Sequence, residues 1–171
     1  RMLLDQKAKV AICSRKPDGL AAAAAELEAG DNLLTVAAHV AQPEDVERLF
    51  SQTLEAFGRL DGLINNVGMN IATGLVDADP GLLNKIIDSN LNGTFLCSRK
   101  AGQIMREQKK GKIVNISSIG GQMTFALGSL YHGTKFAVEG ISESLHYEMQ
   151  EIGVKVKIVE PGFIATDFGG R

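Results

Sequence analysis

The sequence predicts an α/β fold: a doubly wound parallel sheet in a three-layer α/β/α arrangement. Short β-branched runs of five to seven residues alternate with longer stretches of helical periodicity, and that alternation places crossover helices on the faces of a parallel sheet. Many of the 19 glycines follow short apolar runs, where a turn or a close backbone approach needs them.

The strands are expected at 8–13 (AKVAIC), 32–38 (NLLTVAA), 61–65 (DGLIN), 112–117 (KIVNIS) and 154–160 (VKVKIVE). After the turn KPDG, the alanine run of LAAAAAELEAG has the highest helix propensity, and Gly30 supplies a left-handed stop. The next helix begins at Pro43, sets Glu44 and Asp45 in its first turn, and spaces Val46, Leu49, Phe50, Thr53, Leu54 and Phe57 on one face. A third helical stretch runs from about Pro80 as a short helix joined to a long one, whose basic end at 106–110 suits the negative helix pole. A fourth begins near Ser129, with Ala137, Ile141, Leu145 and Met149 repeating as a core stripe. No repeat or linker interrupts the chain, which reads as one domain over residues 1–171.

Composition narrows the function. Lys plus Arg total 18 and Asp plus Glu 20, for a formal charge of −2, so no broad surface attracts a phosphate backbone and nucleic acid is not an expected partner. Cys13 and Cys97 stand far apart and read as small buried hydrophobes in a reducing compartment rather than a disulfide. No apolar run approaches membrane-spanning length, and RMLLDQKAK is charged too soon for a signal peptide. A soluble cytoplasmic protein without a membrane partner is the expectation. Trp is absent and Tyr occurs twice, which argues against a stacking surface for sugars or bases. No metal-ligand cluster and no G-x-S-x-G is present.

The chemistry concentrates between Asn90 and Lys135. Tyr131 and Lys135 are four apart on one helix face, where an ammonium favours the phenolate and brings a tyrosine toward useful acid/base strength. Ser118 ends KIVNISS, at the carboxyl end of a parallel strand where ligands gather, and its hydroxyl can bond the oxygen that Tyr131 protonates. By spacing alone, the Tyr/Lys pair also fits an ordinary helix surface.

INNVG at 64–68, SNLNG at 89–93, NISS at 115–118, YHGTK at 131–135 and EPGFIATD at 160–167 follow in that order. Together they resemble the classical short-chain dehydrogenase/reductase family across essentially the whole chain. The resemblance implies a Rossmann-type dinucleotide-binding domain, NAD or NADP, and hydride transfer between nicotinamide and a carbonyl or alcohol carbon. It makes Tyr131 the general acid/base, and Lys135 the group that lowers its pKa and bonds the nicotinamide ribose. Ser118 holds the substrate oxygen, and Asn90 shapes the helix and positions a relay water. Asn92 and Ser117 remain alternatives to Asn90 and Ser118, although Ser118 has the family's thirteen-residue interval to Tyr131.

Asn65, Asn66, Val67 and Gly68 resemble the family's N-N-A-G segment. An asparagine pair there can tie loops together while the glycine admits the cofactor. Pro161, Gly162, Ile164 and Thr166 resemble the segment that meets the nicotinamide carboxamide and pyrophosphate.

At the end of the first strand, Ser14 takes the position where an acidic residue would bond the adenosine ribose, and Arg15 and Lys16 follow. A basic fork here accommodates a 2′-phosphate, so NADP is expected over NAD, unless Arg15 merely caps a solvated turn. Val40 is expected beside the adenine, with His39 replacing the family's aspartate. His132 is expected at the pocket mouth and His146 on the helix surface.

The family's glycine-rich phosphate turn, T-G-x-x-x-G-x-G, occurs nowhere in the chain. Without the strand that carries it, two half-sheets with exposed edges are expected. The chain is therefore expected to be part of a longer polypeptide. The alternatives are an NAD-linked alcohol or sugar dehydrogenase and a noncatalytic interaction module of the same fold. The expected partners are a small carbonyl or alcohol substrate, entering past Gly120, Gly121, Met123, Phe125 and Leu127, and further copies of the chain in a homodimer or homotetramer. Phe95, Leu96, Ile104 and Met105 are candidates for that contact or for core.

Overall fold

The structure, a computed structural model, describes residues 1–164. It is described as two compact units, Arg1–Leu60 and Asp61–Arg171.

In the first unit, a short helix α1 (Met2–Asp5) precedes β1 (Val10–Ser14), α2 (Pro17–Leu27), β2 (Leu33–Ala37) and α3 (Pro43–Phe57). β1 and β2 run parallel, from Val10 opposite Leu33 to Ser14 opposite Ala37. α3 begins with Pro43 at its first position and acidic Glu44 and Asp45 in its first turn, and buries Val46, Leu49, Phe50 and Thr53. Each large apolar side chain of that set contributes ~1.5–3 kcal/mol when fully buried. Leu54 and Phe57, expected on the same face, are only half-buried. α2 stops at Glu28, whose φ of 50° is left-handed. The expected stop, Gly30, opens the following turn of 3₁₀ helix instead.

The second unit contains β3 (Gly62–Asn65), α4 (Pro80–Ile87), α5 (Gly93–Gln108), β4 (Gly111–Ile116), α6 (Ser129–Gln150) and β5 (Val154–Val159). Its strands are parallel in the order β3-β4-β5, with Asn65 opposite Asn115 and Ile116 opposite Val159. Their carboxyl ends therefore point the same way, which is where an open parallel sheet receives ligands. α5 packs on β3 and β4, and α6 on β5. Ile86, Cys97, Ala101, Met105, Ile113, Val138, Met149, Val154 and Val156 form the core. Met105 thus belongs to the interior, whereas Phe95 is 49% exposed.

The expected junction between the short and the long helix, α4 and α5, is a π turn at Asp88–Asn92, through which the chain stays helical. On α6 the expected stripe is only half-buried at Ala137, Ile141 and Leu145. The buried face instead carries His132, Lys135, Val138, Glu139, Ser142 and Met149. Polar groups occupy it because the neighbouring strand ends supply partners for them.

Candidate active site

The β3 and β4 ends are joined by buried amides. Asn65 Nδ2 donates to Asn115 Oδ1 at 2.8 Å and to Ser98 Oγ on α5 at 2.9 Å. Asn115 Nδ2 donates to Ser142 Oγ at 2.7 Å, and Ser142 donates to the Val138 carbonyl at 2.6 Å. One polar chain thus crosses from β3 through β4 to α6. It accounts for Asn65, which ties strand to strand and helix rather than loop to loop. Asn115 appears in the sequence only as the first residue of NISS, with no role attached, and nothing in the sequence around Ser98 or Ser142 marks them.

Asn90 sits in the π turn and is 1% exposed. Its Oδ1 accepts from the Met69 amide at 2.7 Å, while Nδ2 donates to the Met69 carbonyl at 2.9 Å and to Thr134 Oγ1 at 3.1 Å. It therefore pins the segment after β3 to α6, one residue before Lys135. Asn92, the alternative, bonds Asp88 within its own turn.

Lys135 is 4% exposed, and its Nζ donates to the Ile116 carbonyl at 2.8 Å. Burial pulls its pKa from 10.5 down to about 8, partly opposed by Glu139 one turn on. Its Nζ lies 5.7 Å from the centre of the Tyr131 ring. A Cβ on Gly68 would stand 3.5 Å from Asn90 Oδ1 and 3.7 Å from Lys135 Nζ, so the bare glycine leaves the ammonium approachable on that side. Glu139 is buried, and desolvation raises its carboxyl pKa, with the Ser117 hydroxyl opposing the shift.

Ser118 is half-buried, and its Oγ accepts from the Gly120 amide at 3.0 Å. A Cβ on Gly120 would be 3.2 Å from Tyr131 Cε1, so the turn that Ser118 caps lies against the tyrosine ring. Ser117, its alternative, is 3% exposed and has no side-chain access to a ligand. The segments after β4 and β5 are laced together, with the Ser117 amide donating to Val159 O at 2.8 Å and the Ile119 amide to Pro161 O at 3.0 Å.

Asn66, Val67, Gly162 and Ile164 are exposed and Pro161 is half-buried. Thr166 lies outside the described residues. The structure thus gathers Gly68, Asn90, Tyr131 and Lys135, with Ser118 joined through Gly120.

In the first unit, Ser14 Oγ accepts from the Lys16 amide at 3.2 Å, folding a turn on which Arg15 and Lys16 are exposed. Val40 is 9% exposed. The His39 amide donates to Asp45 Oδ2 at 2.7 Å, and His39 Nδ1 accepts from Ala41.

His132, expected at the pocket mouth, is 6% exposed. His146 is half-buried, with an unpartnered Nδ1, rather than lying on the surface. Among the described residues no cluster could hold a metal ion, and no helix is long and apolar enough to cross a membrane.

The short-chain dehydrogenase family model matches residues 1–171, and the chain belongs to that family. Its α/β fold, with parallel sheets flanked by helices, is of the Rossmann type. An uncharacterised oxidoreductase of Schizosaccharomyces pombe is 44% identical over 138 residues, covering 81% of this chain and 58% of that protein. A 3-oxoacyl-[acyl-carrier-protein] reductase of Synechocystis is 38% identical over 81% of this chain and 56% of its own length. The chain therefore spans less than two thirds of these curated relatives. Among solved structures, ElxO with NADP bound superposes with a TM-score of 0.92 at 32% identity, covering 97% of this chain and 68% of that one. A short-chain dehydrogenase structure from Novosphingobium aromaticivorans gives 0.92 at 30% identity, covering 100% of this chain and 66% of that one.

Proposed function

We propose that this chain serves an NADP-preferring oxidoreductase that interconverts a carbonyl and an alcohol, with Tyr131 as general acid/base. The observation that carries the reading is the Lys135 ammonium, buried between the Tyr131 ring and the side-chain-free face of Gly68 and spending one proton on the Ile116 carbonyl. A desolvated cation open on one side suits hydroxyl acceptors such as those of a ribose, so the residues present fit a nicotinamide dinucleotide. Tyr131, Lys135, Asn66, Val67, Gly68, Pro161, Gly162 and Ile164 would hold the nicotinamide end, with Thr166 beyond them. Ser14, Arg15, Lys16 and Val40 would hold the adenosine end.

Once bound, the dinucleotide supplies or accepts the hydride. Tyr131 delivers a proton to the substrate oxygen, or takes one from it, while the neighbouring positive charge stabilises its phenolate. The Ser118 hydroxyl bonds the same oxygen and stabilises charge as it develops. Asn90 keeps Met69 and Thr134 in place, so Gly68 and Lys135 face the same ligand, and holds a relay water beside Lys135.

NADP is favoured because the Ser14 turn leaves Arg15 and Lys16 exposed after β1, where a guanidinium fork suits a 2′-phosphate. ElxO, 32% identical, binds NADP. The substrate is a small, fairly apolar carbonyl or alcohol, in keeping with exposed Met123, Phe125 and Leu127. Assembly into a cytoplasmic homodimer or homotetramer is the expected state, with exposed Phe95 on α5 at the contact. The test is saturable NADPH binding by the full-length protein and NADPH-dependent reduction across a panel of simple ketones and aldehydes. Neither binding nor turnover would leave a noncatalytic module, and tighter binding of NADH than NADPH would favour an NAD-linked dehydrogenase.

A further inference from the structure

His132 stands beside Tyr131, yet the proposed hydride chemistry does not use it. Both its ring nitrogens are engaged: Nδ1 lies 2.9 Å from the Gly120 carbonyl oxygen, and Nε2 accepts from the Phe125 amide at 3.1 Å. An amide can only donate and a carbonyl can only accept, so one neutral tautomer satisfies both, with the proton on Nδ1. An imidazolium would set an N–H against the N–H of Phe125. Two glycines make room for the ring. A Cβ would come within 2.7 Å of Nδ1 at Gly120 and 2.5 Å of Nε2 at Gly128.

The segment fastened this way, residues 122–128, keeps its large side chains outside: Met123 is 47%, Phe125 45% and Leu127 59% exposed. Little apolar burial holds it, so its few polar links weigh heavily. One is the His132 bond, and another is the Thr73 amide donating to Leu127 O at 2.9 Å. The His132 ring also meets Phe125 and Tyr131 at 5.7 Å each, and Phe125 meets Phe163, after β5, at 5.9 Å.

We propose that His132 is a positioning residue that clamps the 122–128 segment beside Ser118 and Tyr131 as the wall for an apolar carbonyl or alcohol substrate, and that protonating its ring releases this wall. The wall's substrate rests on the oxidoreductase reading; the clamp does not. The ring's titratable neighbours on α6 are Tyr131 and Lys135, the latter bonded to Ile116 O. From the 73–79 segment comes Asp77, whose carboxylate lies near Gly74, as does the Leu127 side chain. Residues 119–128 and 161–164 carry no charged side chain. Carboxylates face only the start of the segment, where Gln122 Nε2 donates to Glu160 Oε1 at 3.4 Å and a Cβ on Gly121 would stand 2.9 Å from Glu139 Oε1, whereas the Phe125 amide is held by the imidazole.

Two near-isosteric variants separate the ring nitrogens. His132→Gln carries an acceptor to the ε position and omits the δ donor, while His132→Asn carries a donor to the δ position and omits the ε acceptor. In the full-length protein, the protection factor of the Phe125 amide is measured by hydrogen exchange between about pH 5 and about pH 7.5, with intrinsic rates divided out. KM and kcat for an apolar ketone are measured over the same range. Wild-type protection is expected to fall by about tenfold or more toward acid, with His132→Gln holding it within about threefold and His132→Asn low throughout. KM is expected to rise about fivefold toward acid in the wild type and to stay flat in His132→Gln, with the pH profile of kcat shared by both. Wild-type protection that ignores pH overturns the clamp, and that arm needs neither a foldable variant nor a working substrate. An acid rise of KM that persists in His132→Gln overturns the substrate-wall role. Activity retained by Tyr131→Phe would overturn the oxidoreductase mechanism and leave the clamp standing.

Discussion

Replacing Lys135 by Met tests whether the site really holds a desolvated cation. The ammonium is 4% exposed and has one carbonyl partner at 2.8 Å, and burial holds its pKa at about 8 against an ordinary 10.5. The folded pKa lies below the unfolded one, so as pH rises the folded state loses the proton first. Between those values the unfolded chain binds more protons, and stability rises with pH. At pH 7 both states are protonated, and the folded state bears the whole desolvation penalty, roughly 3 kcal/mol. By pH 9.5 linkage removes about 2 kcal/mol of it.

Methionine fills similar space without titrating. It also strips the Ile116 carbonyl of its partner, at a cost of ~1–3 kcal/mol that does not vary with pH. Urea unfolding of both proteins at several pH values from about 7 to about 9.5 yields the difference, wild type minus variant, in which all other titrations cancel. That difference is expected to climb by about 2 kcal/mol. A difference constant to within ~0.5 kcal/mol over this range would show that the fold does not lower the ammonium's pKa, whether because the group is solvated or because it is paired, and that result refutes the buried-cation reasoning.

Tyr131→Phe is expected to lower turnover to below about a tenth of wild type while NADPH affinity stays within a few-fold, because the phenol acts on the reacting oxygen; steady-state kinetics and titration decide it. Arg15→Asp is expected to weaken NADP binding by ~1.5–3 kcal/mol and spare NAD; in calorimetry, equal loss for both would show that Arg15 does not read the 2′-phosphate. Asn115→Ala removes the bonds to Asn65 and Ser142 and is expected to destabilise by ~2–4 kcal/mol in urea melts. A cost under ~1 kcal/mol would mean that the buried amide chain is not what holds β3, β4 and α6 together.

The strands were legible because β-branched runs have few other uses: each of the five lies within two residues of its expected bounds. Helix starts were equally readable where Pro43 and Ser129 mark them. The α2 stop was misread because Glu28 takes the left-handed conformation two residues before the glycine that suits it better. The α6 stripe was misread for a more instructive reason. Periodicity scores apolar side chains, and this helix buries His132, Lys135, Glu139 and Ser142, each satisfied or tuned by a strand end or a loop that pattern reading cannot see. His132 is the extreme case. Its burial depends on Gly120 and Gly128, twelve and four residues away, being without side chains, and neither spacing forms a motif.

On the proposed function, the same residues separate chemistry from selectivity. Tyr131, Lys135 and Asn90 sit on helices locked to strand ends by buried amides and by the Ile116 carbonyl. Their geometry changes only if the β3-β4-α6 assembly comes apart. The segment facing them carries its apolar side chains outward and is anchored through backbone links at Phe125 and Leu127. Catalytic groups need fixed positions, whereas a substrate wall tolerates replacement and movement. Substitutions at Met123, Phe125 or Leu127 are therefore expected to change which substrates enter without lowering global stability, while those at Asn65, Asn115 or Ser142 act through stability before they reach the chemistry.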